Sequence, residues 1–230
     1  MKSTTPVVDK GYWEKIYASR VWGQYPPEEL VRFIARNFRT VVIKSEVRVL
    51  EIGCGPGPNI WYLVREGFSV AGIDGSPTAI KQAEERLISD ELPHIKPQVD
   101  LKVGNFSSLP WLDESFDVVI DLEALYANIM SDIKITVAEI HRTLKPKGRF
   151  FGKMFGIETM GSDSGKKLEI GTMQYPDIGP CTGNETAHFF TRDEINDLFS
   201  DFSDISIDQV NRTDHNGTVQ ISEWLVTTRK

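Results

Sequence analysis

The stretch Val47-Arg48-Val49-Leu50-Glu51-Ile52-Gly53-Cys54-Gly55-Pro56-Gly57-Pro58 runs from apolar residues straight into a cluster of glycines. The β-branched, apolar run reads as a buried strand. The glycines read as a tight turn, and proline suits the first position of a helix, here expected from Pro58 to about Glu66. Small residues at such a turn let the backbone approach a ligand closely, and the helix N-terminus favours an anion. A dinucleotide fingerprint would place glycines at 53, 55 and 58. Position 58 is proline and the third glycine is at 57, so the pattern is E-x-G-x-G-x-G.

Outward from this turn the chain alternates. Strands are expected at 69–73, 99–103, 116–120 and 149–155. Between them, Ser76-Pro77 opens a helix carrying Ala79, Ile80, Ala83 and Leu87. Ser131 is read as the cap of a helix striped with Ile133, Val137, Ile140 and Leu144. Such alternation means right-handed crossovers and a parallel sheet. Thr191-Arg192-Asp193-Glu194 forms a capping box with Phe190 and Ile195 at the staple positions. Strands at 205–210 and 219–228, joined through His215-Asn216-Gly217, imply an antiparallel hairpin at the sheet edge. The expected fold is therefore α/β: a doubly wound, mostly parallel seven-stranded sheet with a C-terminal antiparallel hairpin. Ahead of it lies a helical cover, one helix within 9–19 and a second after Pro26-Pro27, with Leu30, Val31, Ile34 and Phe38 on its apolar face.

With 230 residues, the chain is read as one domain. Its expected parts are an N-terminal helical lid (1–45), a core (47–155), an insertion (156–187) and a final helix and hairpin (188–230). The insertion holds six of the 18 glycines and shows no period. It is expected to be mobile until a ligand orders it. A net charge of −7 argues against a nucleic-acid groove or an anionic membrane surface. No stretch approaches the roughly 18 apolar residues of a membrane span, and Met1–Pro6 has no apolar signal core. Two cysteines, Cys54 and Cys181, exclude a disulfide framework and a multi-cysteine zinc site. The expectation is a cytoplasmic protein with reduced thiols, a monomer or homodimer, and no metal.

The glycine pattern on this topology resembles motif I of the class I S-adenosylmethionine-dependent methyltransferases. Further stretches match in order: Gly72-Ile73-Asp74-Gly75-Ser76, Val103-Gly104-Asn105-Phe106 with Leu109-Pro110, Ser115 to Asp121, and Leu144 to Phe150. The resemblance implies S-adenosylmethionine as cofactor and S-adenosylhomocysteine as product. It implies that amides around Gly53, Gly55 and Gly57 approach the methionine part, that Glu51 attracts its ammonium, and that Asp74, with Gly75 and Ser76, meets the ribose. Asn105 stands where the family usually has aspartate. Its amide oxygen would accept from the adenine amino group, and Phe106 would supply a backbone amide or pack. Asp121 ends the fourth strand beside the cofactor.

Methyl transfer needs alignment, exclusion of water and sometimes a base. Two candidates for the chemistry are Glu123, after the fourth strand, and His188, where the insertion rejoins a capped helix. Tyr126 is a pocket-lining candidate. Trp13, Tyr17, Trp22 and Tyr25 are candidate lid rings, since aromatic faces attract a sulfonium. His94, His141 and His215 read as surface or structural. The expected function is methyl transfer to an oxygen or nitrogen of a small-molecule acceptor. The alternatives are a nicotinamide-dependent oxidoreductase and a non-catalytic binding module.

Overall fold

The computed structural model describes residues 11–89 and 98–230. His94 and the first residues of the expected opening helix lie outside them. In chain order the elements are α1 (Tyr12–Ser19), α2 (Glu28–Phe38), β1 (Arg48–Ile52), α3 (Pro58–Arg65), β2 (Ser69–Asp74), α4 (Pro77–Ser89), β3 (Val99–Val103), β4 (Phe116–Leu122), α5 (Met130–Thr143) and β5 (Leu144–Phe155). Then come β6 (Lys166–Glu169), β7 (Thr172–Gln174), β8 (Ala187–His188), α6 (Arg192–Leu198), β9 (Ser203–Asp214) and β10 (Val219–Arg229).

The main sheet has seven strands in the order β3-β2-β1-β4-β5-β10-β9. β1 pairs in parallel with β2 on one side and with β4 on the other. Chain direction across the sheet therefore reverses at β1/β4, and the crevice beyond their carboxyl ends is where ligands of open α/β sheets bind. The long β9–β10 hairpin closes through His215, Asn216 and Gly217, all with positive φ, and β10 runs antiparallel to β5.

Each face of the sheet is covered by helices. One core joins Val49, Val118 and Phe151 to Leu30, Phe33 and Ile34 of α2 and Ile60 of α3. The other joins Leu50, Val119 and Phe150 to Ile133 and Ile140 of α5 and to Ile195 and Phe199 around α6. Phe33 stacks on Phe151 at 4.7 Å. It belongs to the buried face of α2, whereas Val31, expected there, is exposed.

Two local expectations change. Residue 129, not Ser131, caps α5, and the first free amide of the helix, that of Met130, donates to Glu169 Oε1 at 2.6 Å. The insertion is not an irregular loop: β6, β7 and β8 form a small antiparallel sheet. It is tied to the hairpin by Thr159 Oγ1 donating to Ser222 O at 2.7 Å and by Met160 N–H donating to Gln220 O at 2.9 Å. The capping box at Thr191 is present, with Glu194 N–H donating to its hydroxyl.

Candidate functional site

The glycine turn leaves β1 with Gly53, Gly55 and Gly57 at φ +61°, +52° and +76°, a region that side-chain-bearing residues adopt only under strain. Space enforces the same choice. A Cβ on Gly53 would stand 2.2 Å from Ala124 Cβ, and one on Gly57 would stand 2.8 Å from Ala83 Cβ. Asp74, at the end of β2, braces the turn: Gly55 N–H donates to its Oδ2 at 2.9 Å and Ser76 N–H to its Oδ1 at 2.8 Å. An ionised carboxylate has about four lone-pair positions, so each oxygen keeps one for a further donor. Gly75 is exposed, with open space around its α-carbon.

Beneath the turn lie two carboxylates in adjacent strands. Glu51 Oε1 accepts from Asn59 Nδ2 at 2.6 Å, while its Oε2 is buried without a partner. Asp121 is fully buried; its Oδ1 accepts the amides of Ala124 and Leu125 at 2.9 and 3.0 Å, and its Oδ2 has no partner. Burial pushes the Glu51 carboxyl well above the usual range, and the neighbouring Asp121 adds to it. Burial likewise pushes Asp121 up to about 7, opposed by its two amide bonds. Two unmet acceptors this deep are costly unless a donor joins them. A ligand ammonium, with its positive charge and N–H donors, meets that demand. On this test the residues fit S-adenosylmethionine.

α1 lies over the turn. Tyr17 is buried, and its hydroxyl is 3.0 Å from where a Gly55 Cβ would be. Its ring meets Trp13 at 5.9 Å and Trp22 at 5.4 Å. Tyr25, the fourth candidate ring, stands apart, exposed and edge-on to Trp61. Glu14, which the sequence reading passed over, joins Gln82, whose Nε2 donates to Tyr17 O at 3.3 Å, in tying α1 to α4. Glu14 accepts from the Ser76 and Thr78 hydroxyls and from Thr78 N–H at 3.2 Å. The Ser76 hydroxyl, which also accepts from Ala79 N–H at 3.0 Å, is thereby engaged within the protein.

Asn105 is exposed, and its Oδ1 already accepts from Ser107 N–H at 2.9 Å in a local turn. The Phe106 ring lies near Gly53. Tyr126 is buried and its hydroxyl accepts from Asn184 Nδ2 at 2.9 Å, while Tyr12 donates to Gly183 O at 3.0 Å. Asn184, in the insertion, thus sits where α1, the segment after β4 and the insertion converge.

The two candidates for the chemistry are not brought together. Glu123 follows β4 at φ +62°, partly exposed, with its Oε1 3.2 Å from Lys153 Nζ. His188 is fully buried between β7 and α6. Its Nδ1 shares a 2.7 Å hydrogen bond with Thr172 Oγ1, and its ring is edge-on to Phe190. Burial pulls its pKa down, against Glu194 and Glu169. The Nδ1 bond ties β8 to β7 within the small sheet, while Nε2 is buried without a hydrogen-bond partner, 4.0 Å from Glu194 Oε1 of α6. The histidine's position after an unpatterned insertion suggested a pocket, but the insertion folds over it.

Residues 50–152 match a family model described as "Methyltransferase domain". The chain is 30% identical over 165 residues to a glycine/sarcosine/dimethylglycine N-methyltransferase of Actinopolyspora halophila, covering 66% of this chain and 28% of that one. It is 35% identical over 140 residues to a probable phthiotriol/phenolphthiotriol dimycocerosates methyltransferase of Mycobacterium ulcerans, covering 60% of this chain and 42% of that one. It therefore spans less than half the length of either relative. A crystal structure of a SAM-dependent methyltransferase from Methanosarcina mazei superposes with a TM-score of 0.68 at 27% identity, covering 80% of this chain and 92% of that one. Sheet order, glycine turn and these likenesses agree, and the chain belongs to the class I S-adenosylmethionine-dependent methyltransferases.

Proposed function

We propose that this chain transfers the methyl group of S-adenosylmethionine to an oxygen or nitrogen of a small-molecule acceptor. The observation that carries the reading is the pair of unmet, buried carboxylate oxygens, Glu51 Oε2 and Asp121 Oδ2, beneath the glycine turn. They demand a cationic donor there, which a nicotinamide dinucleotide's pyrophosphate would not supply. When bound, the cofactor supplies a methyl group already activated by its sulfonium.

The chain's own residues bind, orient and enclose. Glu51 and Asp121 receive the ammonium, and the amides around Gly53, Gly55 and Gly57 lie against the methionine part. Asp74 accepts from the ribose hydroxyls through its free lone pairs. Asn105 and Phe106 take the adenine, with the Asn105 oxygen shared between its own turn and the base. Trp13, Tyr17 and Trp22 form the lid that excludes water, and Tyr126 and Asn184 line the acceptor side. Glu123 takes the acceptor's proton. His188 acts structurally. Both thiols are free and buried, which suits a reducing cytoplasm.

Calorimetry with S-adenosylhomocysteine and with NADH tests the cofactor, and a radiolabelled methyl donor offered with a small-metabolite extract tests the acceptor class. Tight binding of S-adenosylhomocysteine and label in small molecules are expected. Binding of NADH instead, or label only on macromolecules, overturns the reading.

A further inference from the structure

A row of charged side chains crosses the sheet from Glu123. Lys153 lies in β5 on the same face as Phe151, under α2, and is 8% exposed. Its Nζ is 3.2 Å from Glu123 Oε1 and 3.1 Å from Glu223 Oε2. Glu223, in β10, is fully buried, and Arg212 of β9 approaches the same Oε2 at 3.7 Å from the solvent side. Each ion taken from water costs several kcal/mol, and the inner three do not balance. Two carboxylates face one ammonium, a net charge of −1, and one added proton makes the group neutral.

Glu123 is also strained. A non-glycine residue at φ +62° costs on the order of 1–3 kcal/mol, and such strain clusters at functional sites. It persists here because Glu123 N–H donates to Lys153 O at 3.0 Å. That bond holds the carboxylate at the carboxyl edge of β4 and against Lys153 at once.

We propose that Lys153 and Glu223 are positioning residues that set how strongly Glu123 holds a proton, making Glu123 the group that takes the proton of the methyl acceptor. This rests on the methyltransferase reading above. As the acceptor's lone pair forms its bond to the methyl carbon, the carbon–sulfur bond breaks with its electron pair left on sulfur. The acceptor's proton passes to Glu123, and the triad goes from −1 to neutral. Burial and Glu223 push Glu123 up to about 7 against the pull of Lys153. The other groups that act on this triad are Arg212 on β9, whose positive charge acts on both Glu223 and Glu123, Asp121 on β4, Tyr126 after it, Cys181 in the insertion, and Glu29 of α2, which acts on Lys153. Burial raises the Tyr126 and Cys181 pKa values, so both stay neutral.

The test is a carbon-13 NMR titration of glutamate side chains in the full chain with S-adenosylhomocysteine bound, the Glu123 signal being assigned by its loss in Glu123→Gln. The midpoint should lie near 7, fall by a pH unit or more in Glu223→Gln, and rise by a similar amount in Lys153→Met. The acid limb of methyl transfer into the metabolite extract should move with it. A midpoint in the ordinary carboxylate range, or one that neither variant moves, overturns the inference. So does an acid limb that stays put while the midpoint shifts. Should Lys153→Met fail to fold, the isosteric Glu223→Gln decides alone. Failure of the methyltransferase reading shows separately, as absence of S-adenosylhomocysteine binding.

Discussion

Asp121→Asn should stabilise the ligand-free protein, and increasingly so as pH rises. The side chain is fully buried, and burial lifts its pKa from an ordinary 3.8 to about 7. The folded state therefore holds a proton over that interval which the unfolded chain has lost, so stability falls as pH climbs from about 4 to about 7 and is level above. About three decades of proton affinity at about 1.36 kcal/mol each come to on the order of 4 kcal/mol by pH 8, against roughly 1.5 at pH 5. Asparagine keeps an oxygen for the amides of Ala124 and Leu125 and carries no charge, so the variant escapes this cost. Its amide nitrogen, placed where the unmet Oδ2 now is, adds an offset independent of pH. The difference between the two pH values is therefore the quantity to read. Urea unfolding of wild type and variant at pH 5 and pH 8 should show the stability difference widening by about 2–3 kcal/mol. S-Adenosylhomocysteine affinity should fall in the variant by about 10- to 100-fold, the scale of a hydrogen bond to a charged group. A stability difference that does not change with pH would refute the reasoning, because the unmet oxygen would then not be a buried charge.

His188→Gln should lower stability by about 1–3 kcal/mol through the disturbed bond to Thr172, with S-adenosylhomocysteine affinity unchanged by calorimetry. Because burial depresses the wild-type pKa, this histidine's contribution is present above the ordinary value of about 6.5 and is lost as pH falls below it. The variant's unfolding should lack that component, and lost affinity in a stable variant would argue for ligand contact. Glu14→Ala should free α1: trypsin should cut at Arg20 faster, and cofactor affinity should drop several-fold, with the urea midpoint of the core unmoved. Wild type should release α1 only at a pH below the ordinary glutamate range, since the Ser76 and Thr78 bonds hold the Glu14 pKa down. An unchanged cleavage rate would count against the latch.

The parts of the fold legible in the sequence are those whose cause is local. Val49 to Ile52 and Phe116 to Ile120 are largely covered on both faces, so they read as apolar runs, each broken by one acid, Glu51 and Asp117. The glycine turn announces its own backbone, and Thr191 with Glu194 satisfies its helix within four residues. What escaped depends on distant partners. The start of α5 is set by Glu169, 39 residues on, and α1 is docked by a carboxylate that reaches the start of α4. The strands of the insertion are too short to show a period. Lys153 and Glu223 did leave a signal: a lysine inside Phe150 to Phe155, and a glutamate inside Ile221 to Val226, are charges in strands that otherwise read as core. The site was legible where glycines and strand-end acids define it, and obscure where the acceptor side is assembled from the insertion.

The two ends of that insertion lie side by side. Phe190 N–H donates to Phe155 O at 2.8 Å, and Ile157 N–H donates to Phe190 O at 3.0 Å. The span between them is thus a closed loop on a finished scaffold, and the entropy of joining its ends changes slowly with length. It behaves as an exchangeable cassette. Grafts of other lengths between Ile157 and Phe189 should leave the cofactor half intact, provided they keep a hydroxyl at position 159 for Ser222 and an acceptor at position 169 for α5. New acceptor preferences can then be sought by swapping this one segment rather than by redesigning the sheet.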